Sequence, residues 1–121
     1  MNILVVDDEP YMIRVIQATL GEQHFDIRTA TSGMEALEKI KEQQPNLLIL
    51  DVIMPEMSGI ETMEELKNLG LLNRFPIILL TGKGVSTLPV EVINSSNAIV
   101  MTKPFSPMEL KQAIEWMTSN P

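Results

Sequence analysis

Three acidic residues in a row, Asp7-Asp8-Glu9, follow directly on the apolar run Ile3-Leu4-Val5-Val6. Other short apolar runs also end on residues able to do chemistry. Leu47-Leu48-Ile49-Leu50 ends on Asp51, Ile77-Ile78-Leu79-Leu80 on Thr81-Gly82, and Ala98-Ile99-Val100-Met101 runs through Thr102 to Lys103-Pro104. If these runs are strands of one parallel sheet, their ends converge at one edge, where ligands of such sheets bind. The crevice then holds several carboxylates, a hydroxyl and an ammonium. Clustered carboxylates repel one another and ionise together cheaply only beside a cation. Oxygen donors without His or Cys favour a hard ion, magnesium above all. Lys103 adds a second positive charge and Thr81 a hydroxyl donor, the kind of surroundings that a transferring phosphoryl group requires. Asp51, nearest the centre of the sheet, is the natural nucleophile, since a carboxylate can form an acyl phosphate.

The elements that must position these residues are legible as alternating patterns. The four runs are continuous rather than alternating, as expected of parallel strands buried on both faces. A fifth segment, residues 26–30, alternates polar and apolar residues and reads as an edge strand. Between the strands, Pro10 suits a first helical turn, and Ile13, Ile16 and Leu20 then mark one face. Ser32-Gly33-Met34-Glu35 opens a second helix, with Met34, Leu37 and Ile40 spaced for burial. A third spans about residues 59–69 and ends at Gly70. Ser106-Pro107-Met108-Glu109 carries a cap, a proline and a glutamate in the order of a helix start, followed by the stripe Leu110, Ala113, Ile114 and Met117. The stretch 85–97 has poor helix propensity and is interrupted by Pro89, so a short or irregular helix is expected there. Strands alternating with helices predict a doubly wound α/β sandwich with helices on both faces.

Bulk composition agrees. With 121 residues, 45 % hydrophobic and 21 % charged, the chain reads as one globular domain over residues 1–121. Its net charge of −7 repels nucleic-acid phosphates, so direct DNA or RNA binding is not expected. With no cysteine, thiol metal sites and disulfides are excluded. The amino terminus has no secretory signal pattern, and no apolar run approaches the ~20 residues of a membrane span. A cytoplasmic protein is expected.

Along its whole length the chain resembles a response-regulator receiver domain. The resemblance rests on Leu4-Val5-Val6-Asp7-Asp8-Glu9, on Leu50-Asp51-Val52-Ile53-Met54-Pro55-Glu56-Met57-Ser58-Gly59, on Leu80-Thr81-Gly82 and on Thr102-Lys103-Pro104-Phe105. Each is weak alone; in this order and at these separations they are specific. The resemblance implies a flavodoxin-like, five-stranded parallel sheet in the order 2-1-3-4-5. It implies that Asp51 is the phosphoacceptor, charged by a sensor histidine kinase or a histidine phosphotransfer protein. Asp8 and Asp51 would bind Mg2+ directly, Asp7 mainly through water, and Ile53 through its backbone carbonyl. Thr81 and Lys103 would contact the phosphoryl oxygens, the Lys103-Pro104 peptide would be cis, and Gly82 would leave the site open. A downstream protein or output domain and a phosphorylation-linked dimer are further implied partners. The family often carries Tyr or Phe three residues before the lysine; here that residue is Val100.

Each signal has a plainer reading. Asp7-Asp8 alone is a solvated helix start, Thr81 a turn cap, Lys103 a surface charge; their joint position argues otherwise. Lys83 between Gly82 and Gly84 lacks the full phosphate-loop pattern. His24 reads as a surface residue, the methionines as packing and Trp116 as a cover on the last helix. Pro55 and Gly59 shape the loop after the third strand. Two rival functions are a haloacid-dehalogenase-type aspartyl phosphatase, which needs Asp-x-Asp after the first strand, and a binding module that keeps the fold without phosphorylation. A flavin carrier is disfavoured by the acidic first loop.

Overall fold

The structure is a computed structural model, described here for residues 1–21, 25–82, 91, 94 and 96–119. His24, Lys83 and Pro89 lie outside these residues, as does most of the stretch expected to hold the irregular helix.

The strands are β1 (Asn2–Val6), β2 (Asp26–Ala30), β3 (Leu47–Asp51), β4 (Ile77–Thr81) and β5 (Ala98–Thr102). They form one sheet in the order β2-β1-β3-β4-β5, parallel throughout. The helices among the described residues are α1 (Pro10–Leu20), α2 (Gly33–Glu42), α3 (Gly59–Asn68) and α4 (Pro107–Ser119).

Strand parity divides the core in two. Leu4, Val6, Leu48, Leu50, Ile77 and Leu79 pack with Ala36, Leu37 and Ile40 of α2 and with Ile60, Met63 and Leu66 of α3. Ile3, Val5, Leu47, Ile49, Ile78 and Leu80 pack with Ile13, Ile16 and Leu20 of α1 and with Leu110, Ile114 and Met117 of α4. Every residue of β1, β3 and β4 is buried, which is why those runs do not alternate in hydropathy. β2 shows the mixed burial of an edge strand.

The helix ends follow their side-chain chemistry. Pro10 opens α1. Ser58 and Glu61 form a reciprocal capping box on α3, and Ser106 and Glu109 exchange the same pair of bonds ahead of α4. Gly70, at φ 74°, closes α3: its N–H donates to Lys67 O at 3.0 Å and that of Leu71 to Leu66 O at 2.8 Å. These bonds satisfy the last carbonyls of the helix, and the left-handed φ is cheap only for glycine. On α2, Ser32 Oγ accepts from Glu35 N, while the Glu35 carboxylate accepts from Thr31 N at 2.7 Å. That backbone bond, assisted by Lys39, holds Glu35 below its ordinary pKa despite partial burial.

One core assignment needs correcting. Met34 was expected to be buried with Leu37 and Ile40, but it is 55 % exposed. Gly33 and Ala36 supply the close-packed side at this end of α2, and Met34 faces outward. Met1 and Met108 are also exposed, so packing does not account for every methionine.

Urea denaturation should separate these positions. Leu50→Ala, at a fully buried site, is expected to cost about 2–5 kcal/mol. Met34→Ala is expected to stay within about 0.5 kcal/mol of wild type; a larger loss would show that Met34 packs inward in solution.

Candidate functional site

The carboxyl ends of β1, β3, β4 and β5 meet as the parallel topology requires. Asp7 follows β1 and is fully buried; Asp51 is the last residue of β3 and 4 % exposed. Asp7 N donates to Ala30 O at 3.1 Å, and Asp7 Oδ1 accepts from Glu9 N at 2.9 Å. These two bonds fix the turn from β1 into α1. Carboxylate oxygens of Asp7, Asp8 and Asp51 lie within 4.8 Å of one another.

Lys103 reaches this cluster from just beyond β5. Its Nζ lies 3.1 Å from Asp51 Oδ1 and 3.2 Å from Asp7 Oδ2. Its backbone N–H donates to Thr81 O at 2.6 Å, so the strand ladder sets where the side chain starts. The Lys103-Pro104 peptide is cis, as the resemblance implies. Thr81 ends β4 and is 4 % exposed; its hydroxyl makes a long 3.4 Å contact with Gly82 O. Among the described residues, a Cβ at Gly82 would meet nothing within 4 Å.

Ile53 is placed differently from the others. Its side chain is 71 % exposed and carries no donor atom, so only its main-chain carbonyl could serve a cation. The segment between Asp51 and α3 is tied down at several points. Val52 N donates to Leu80 O at 2.9 Å, Met57 N to Pro55 O at 2.8 Å, and Gly59 N to Val52 O at 2.8 Å. Glu56, enclosed by the second of these bonds, has a φ of 66°. Sequence reasoning gave Gly59 only a loop-shaping role and missed its direct contact with Asp51. A Cβ there would overlap the Asp51 carbonyl oxygen and sit 2.9 Å from Val52 Cα. The glycine is visible in the sequence, but the surface it presses against is not.

Burial dominates the electrostatics. It pushes the Asp51 carboxyl up from 3.8 to about 6; the Asp7 charge adds to the rise, and Lys103 opposes it. Burial alone would lower the Lys103 ammonium, but the charges of Asp51 and Asp7 outweigh it and raise its pKa. A single ammonium therefore leaves excess negative charge in a poorly solvated crevice. A hard divalent cation fits this donor set, which is made only of oxygen and is already gathered. A cleft of about 490 Å³ lies at the opposite end of the strands, among Met1, Asn46, Pro76 and Asn97. Those residues precede strands, so that cleft is separate from the carboxylates.

The family model described as response regulator receiver domain matches residues 3–115. The alkaline phosphatase synthesis transcriptional regulatory protein PhoP of Bacillus subtilis is 38 % identical over 114 residues, covering 94 % of this chain and 47 % of that protein. The transcriptional regulatory protein SrrA of Staphylococcus aureus is 38 % identical over 109 residues, covering 90 % of this chain and 44 % of that protein. This chain thus spans about half the length of these relatives or less. The solved receiver domain of the Francisella response regulator 1452 superposes with a TM-score of 0.85 at 26 % identity, covering 98 % of this chain and 96 % of that one.

A raised carboxyl pKa sets the sign of a pH effect. The folded state holds the Asp51 proton more tightly than the unfolded state does, so this group favours folding below pH 3.8 and loses that contribution as the pH rises through about 6. At neutral pH without divalent cations, Asp51→Asn should therefore stabilise the fold. The shift from 3.8 to about 6 corresponds to a gain on the order of 1–3 kcal/mol. Urea melts in a chelating buffer should show this gain at pH 7.5 and its loss near pH 4. Equal stability of the two proteins at pH 7.5 would contradict the placement of Asp51.

Proposed function

The chain belongs to the response regulator receiver domain family, and we propose that it works as a magnesium-dependent switch that takes a phosphoryl group on Asp51. The observation that carries this reading is the gathering of Asp7, Asp8 and Asp51 within 4.8 Å, with Lys103 bridging Asp7 and Asp51. In the transfer, an Asp51 carboxylate oxygen forms the new P–O bond while the P–N bond of a phosphohistidine donor breaks and the imidazole leaves with the electron pair. The donor would be a sensor histidine kinase or a histidine phosphotransfer protein. Asp8 and Asp51 would hold Mg2+ directly, Asp7 through water, and Ile53 through its carbonyl. The ion, when bound, supplies charge neutralisation at the phosphoryl oxygens.

The chain's own groups supply the rest. Glu9 N–H and Lys103 hold Asp7 in place. Lys103 is already in contact with Asp51, so its ammonium is positioned for the negative charge that arrives with a phosphoryl group. Thr81, at the end of β4, can turn its hydroxyl, which makes a long 3.4 Å contact with Gly82 O, toward the same oxygens. The phosphatase rival fits less well, because the candidate nucleophile ends β3 and the first strand is followed by Asp7-Asp8-Glu9 rather than Asp-x-Asp. The output is a change at the surface read by a protein partner or output domain. The net charge of −7 supports a protein rather than a nucleic acid as the direct contact.

Intact-protein mass after incubation with Mg2+ and a small acyl phosphate tests this reading. Wild type should gain one phosphoryl group, and Asp51→Asn or omission of the metal should abolish the gain. An unmodified wild type, with a donor shown to be active, would favour a phosphorylation-independent binding module. Lys103→Ala should still accept the group, but its amide NMR spectrum should change less on phosphorylation than that of wild type. A wild-type response from that variant would remove Lys103 from the switch.

A further inference from the structure

The segment joining Asp51 to α3 is pressed from two sides by residues without side chains. At one end, Gly59 lies against the Asp51 and Val52 main chain. An added Cβ would overlap the Asp51 carbonyl oxygen and come within 2.9 Å of Val52 Cα and 3.0 Å of the Asp51 carbonyl carbon. These are backbone atoms of the acceptor and of the residue after it, so no side-chain rotation can relieve the clash. At the other end, Gly33 in the first turn of α2 lies against Met57. A Cβ there would sit 2.9 Å from Met57 Cγ and Sδ and would overlap Thr62 Oγ1. Met57 belongs to the same segment, which is further fixed by the turn at Glu56 and the Ser58–Glu61 capping box.

We infer that Gly59 and Gly33 are positioning residues for the acceptor segment, setting from its two ends where the Asp51 carboxylate and the Ile53 carbonyl stand relative to Asp7, Asp8 and Lys103. This rests on the proposed role of Asp51 as phosphoacceptor. The two clamps differ in kind. Gly59 acts directly on the acceptor's backbone. Gly33 acts through the side chains of Met57 and Thr62 rather than on the acceptor's backbone, so its effect is smaller. Neither glycine is required here for a positive φ, so the constraint is space rather than backbone freedom. Interatomic geometry of this kind matters because a misplacement of ~1 Å in a reacting group can cost about 100-fold in rate.

Gly70 provides the control. It has a φ of 74° and, among the described residues, nothing within 4 Å of a would-be Cβ, so Gly70→Ala strains the backbone at the far end of α3 without touching the segment. We would measure magnesium affinity by calorimetry, and the rate of phosphoryl-adduct formation at saturating magnesium, for wild type, Gly59→Ala, Gly33→Ala and Gly70→Ala. Adduct formation by Gly59→Ala should slow about 10-fold or more even at saturating magnesium, because the acceptor itself is displaced. Its magnesium affinity should also weaken. Gly33→Ala should show the same two changes to a smaller degree, and it carries the test if Gly59→Ala does not fold. Gly70→Ala should lose stability and keep both parameters within about two-fold of wild type, as expected for a distant site. Wild-type affinity and rate in folded Gly59→Ala or, failing that, in Gly33→Ala would overturn the inference and leave the phosphoacceptor reading intact. Equal impairment in Gly70→Ala would also overturn it, by tracing the defect to lost stability. No adduct and no magnesium binding on wild type would overturn the phosphoacceptor reading, and the inference with it.

Discussion

Two buried carboxylates sharing one ammonium is the arrangement on which the rest of this structure depends. Asp7 is fully buried and Asp51 nearly so, and Lys103 Nζ lies 3.2 and 3.1 Å from them. Asp8 adds further negative charge within the same few ångströms. Left to themselves these groups would separate into water, because desolvation and mutual repulsion both oppose their ionised forms. They cannot separate here. Asp7 and Asp51 are continuous with neighbouring strands paired from Ile3↔Leu47 to Val6↔Leu50, and parting them would tear apart two fully buried strands.

The core offsets this local misfit. Its two clusters lie on opposite faces of the sheet and share no side chain, yet both are anchored on the same three fully buried strands. Rigid strands make the cluster a fixed frame rather than a set of mobile acids. A frame of this kind would favour a bound cation over the repelling arrangement of acids alone. Local conflicts held by a consistent fold are where function is expected. The cleft among Met1, Asn46, Pro76 and Asn97 has no such conflict: its lining gathers no cluster of carboxylates.

How much of this was legible in the sequence depends on what each residue's neighbours are. The sheet was legible because continuous apolar runs such as 47–50 have few alternatives to a doubly buried strand. The convergence of Asp7, Asp51, Thr81 and Lys103 then followed from parallel connectivity alone. The helix starts at Ser58 and Ser106 were legible because a cap is a local exchange between residues three apart. Met34 was misplaced because helical spacing specifies a face but not its width, and Gly33 and Ala36 fill the close side. Gly59 was undervalued for another reason. A glycine after a Pro-containing loop reads as a turn, and nothing local reveals that the Asp51 carbonyl lies against it. The sharing of Lys103 between Asp7 and Asp51 was likewise hidden, since residue types give proximity but not the partition of a bond.

The substitution of an aliphatic residue at position 100 bears on how a change at Asp51 can travel. Val100 is partly buried and packs against the cluster that contains the α2 and α3 side chains. A branched aliphatic side chain in that setting has no polar tip and little rotamer freedom, so it cannot alternate between an inward and an outward position as a tyrosine can. The groups at this end of the sheet that can exchange partners are polar. Among the described residues, the Thr81 hydroxyl makes a long 3.4 Å contact with Gly82 O, and the Lys103 ammonium is divided between two acids. A phosphoryl group on Asp51 would alter that division, because the added charge competes with Asp7 for the same ammonium. Lys103 is tied through its backbone N–H to Thr81 O, and Thr81 pairs with Thr102 across the β4–β5 ladder. Redistribution of one side chain would therefore act on the ends of two strands together, and such a route from Asp51 to the β5 edge would need no aromatic ring.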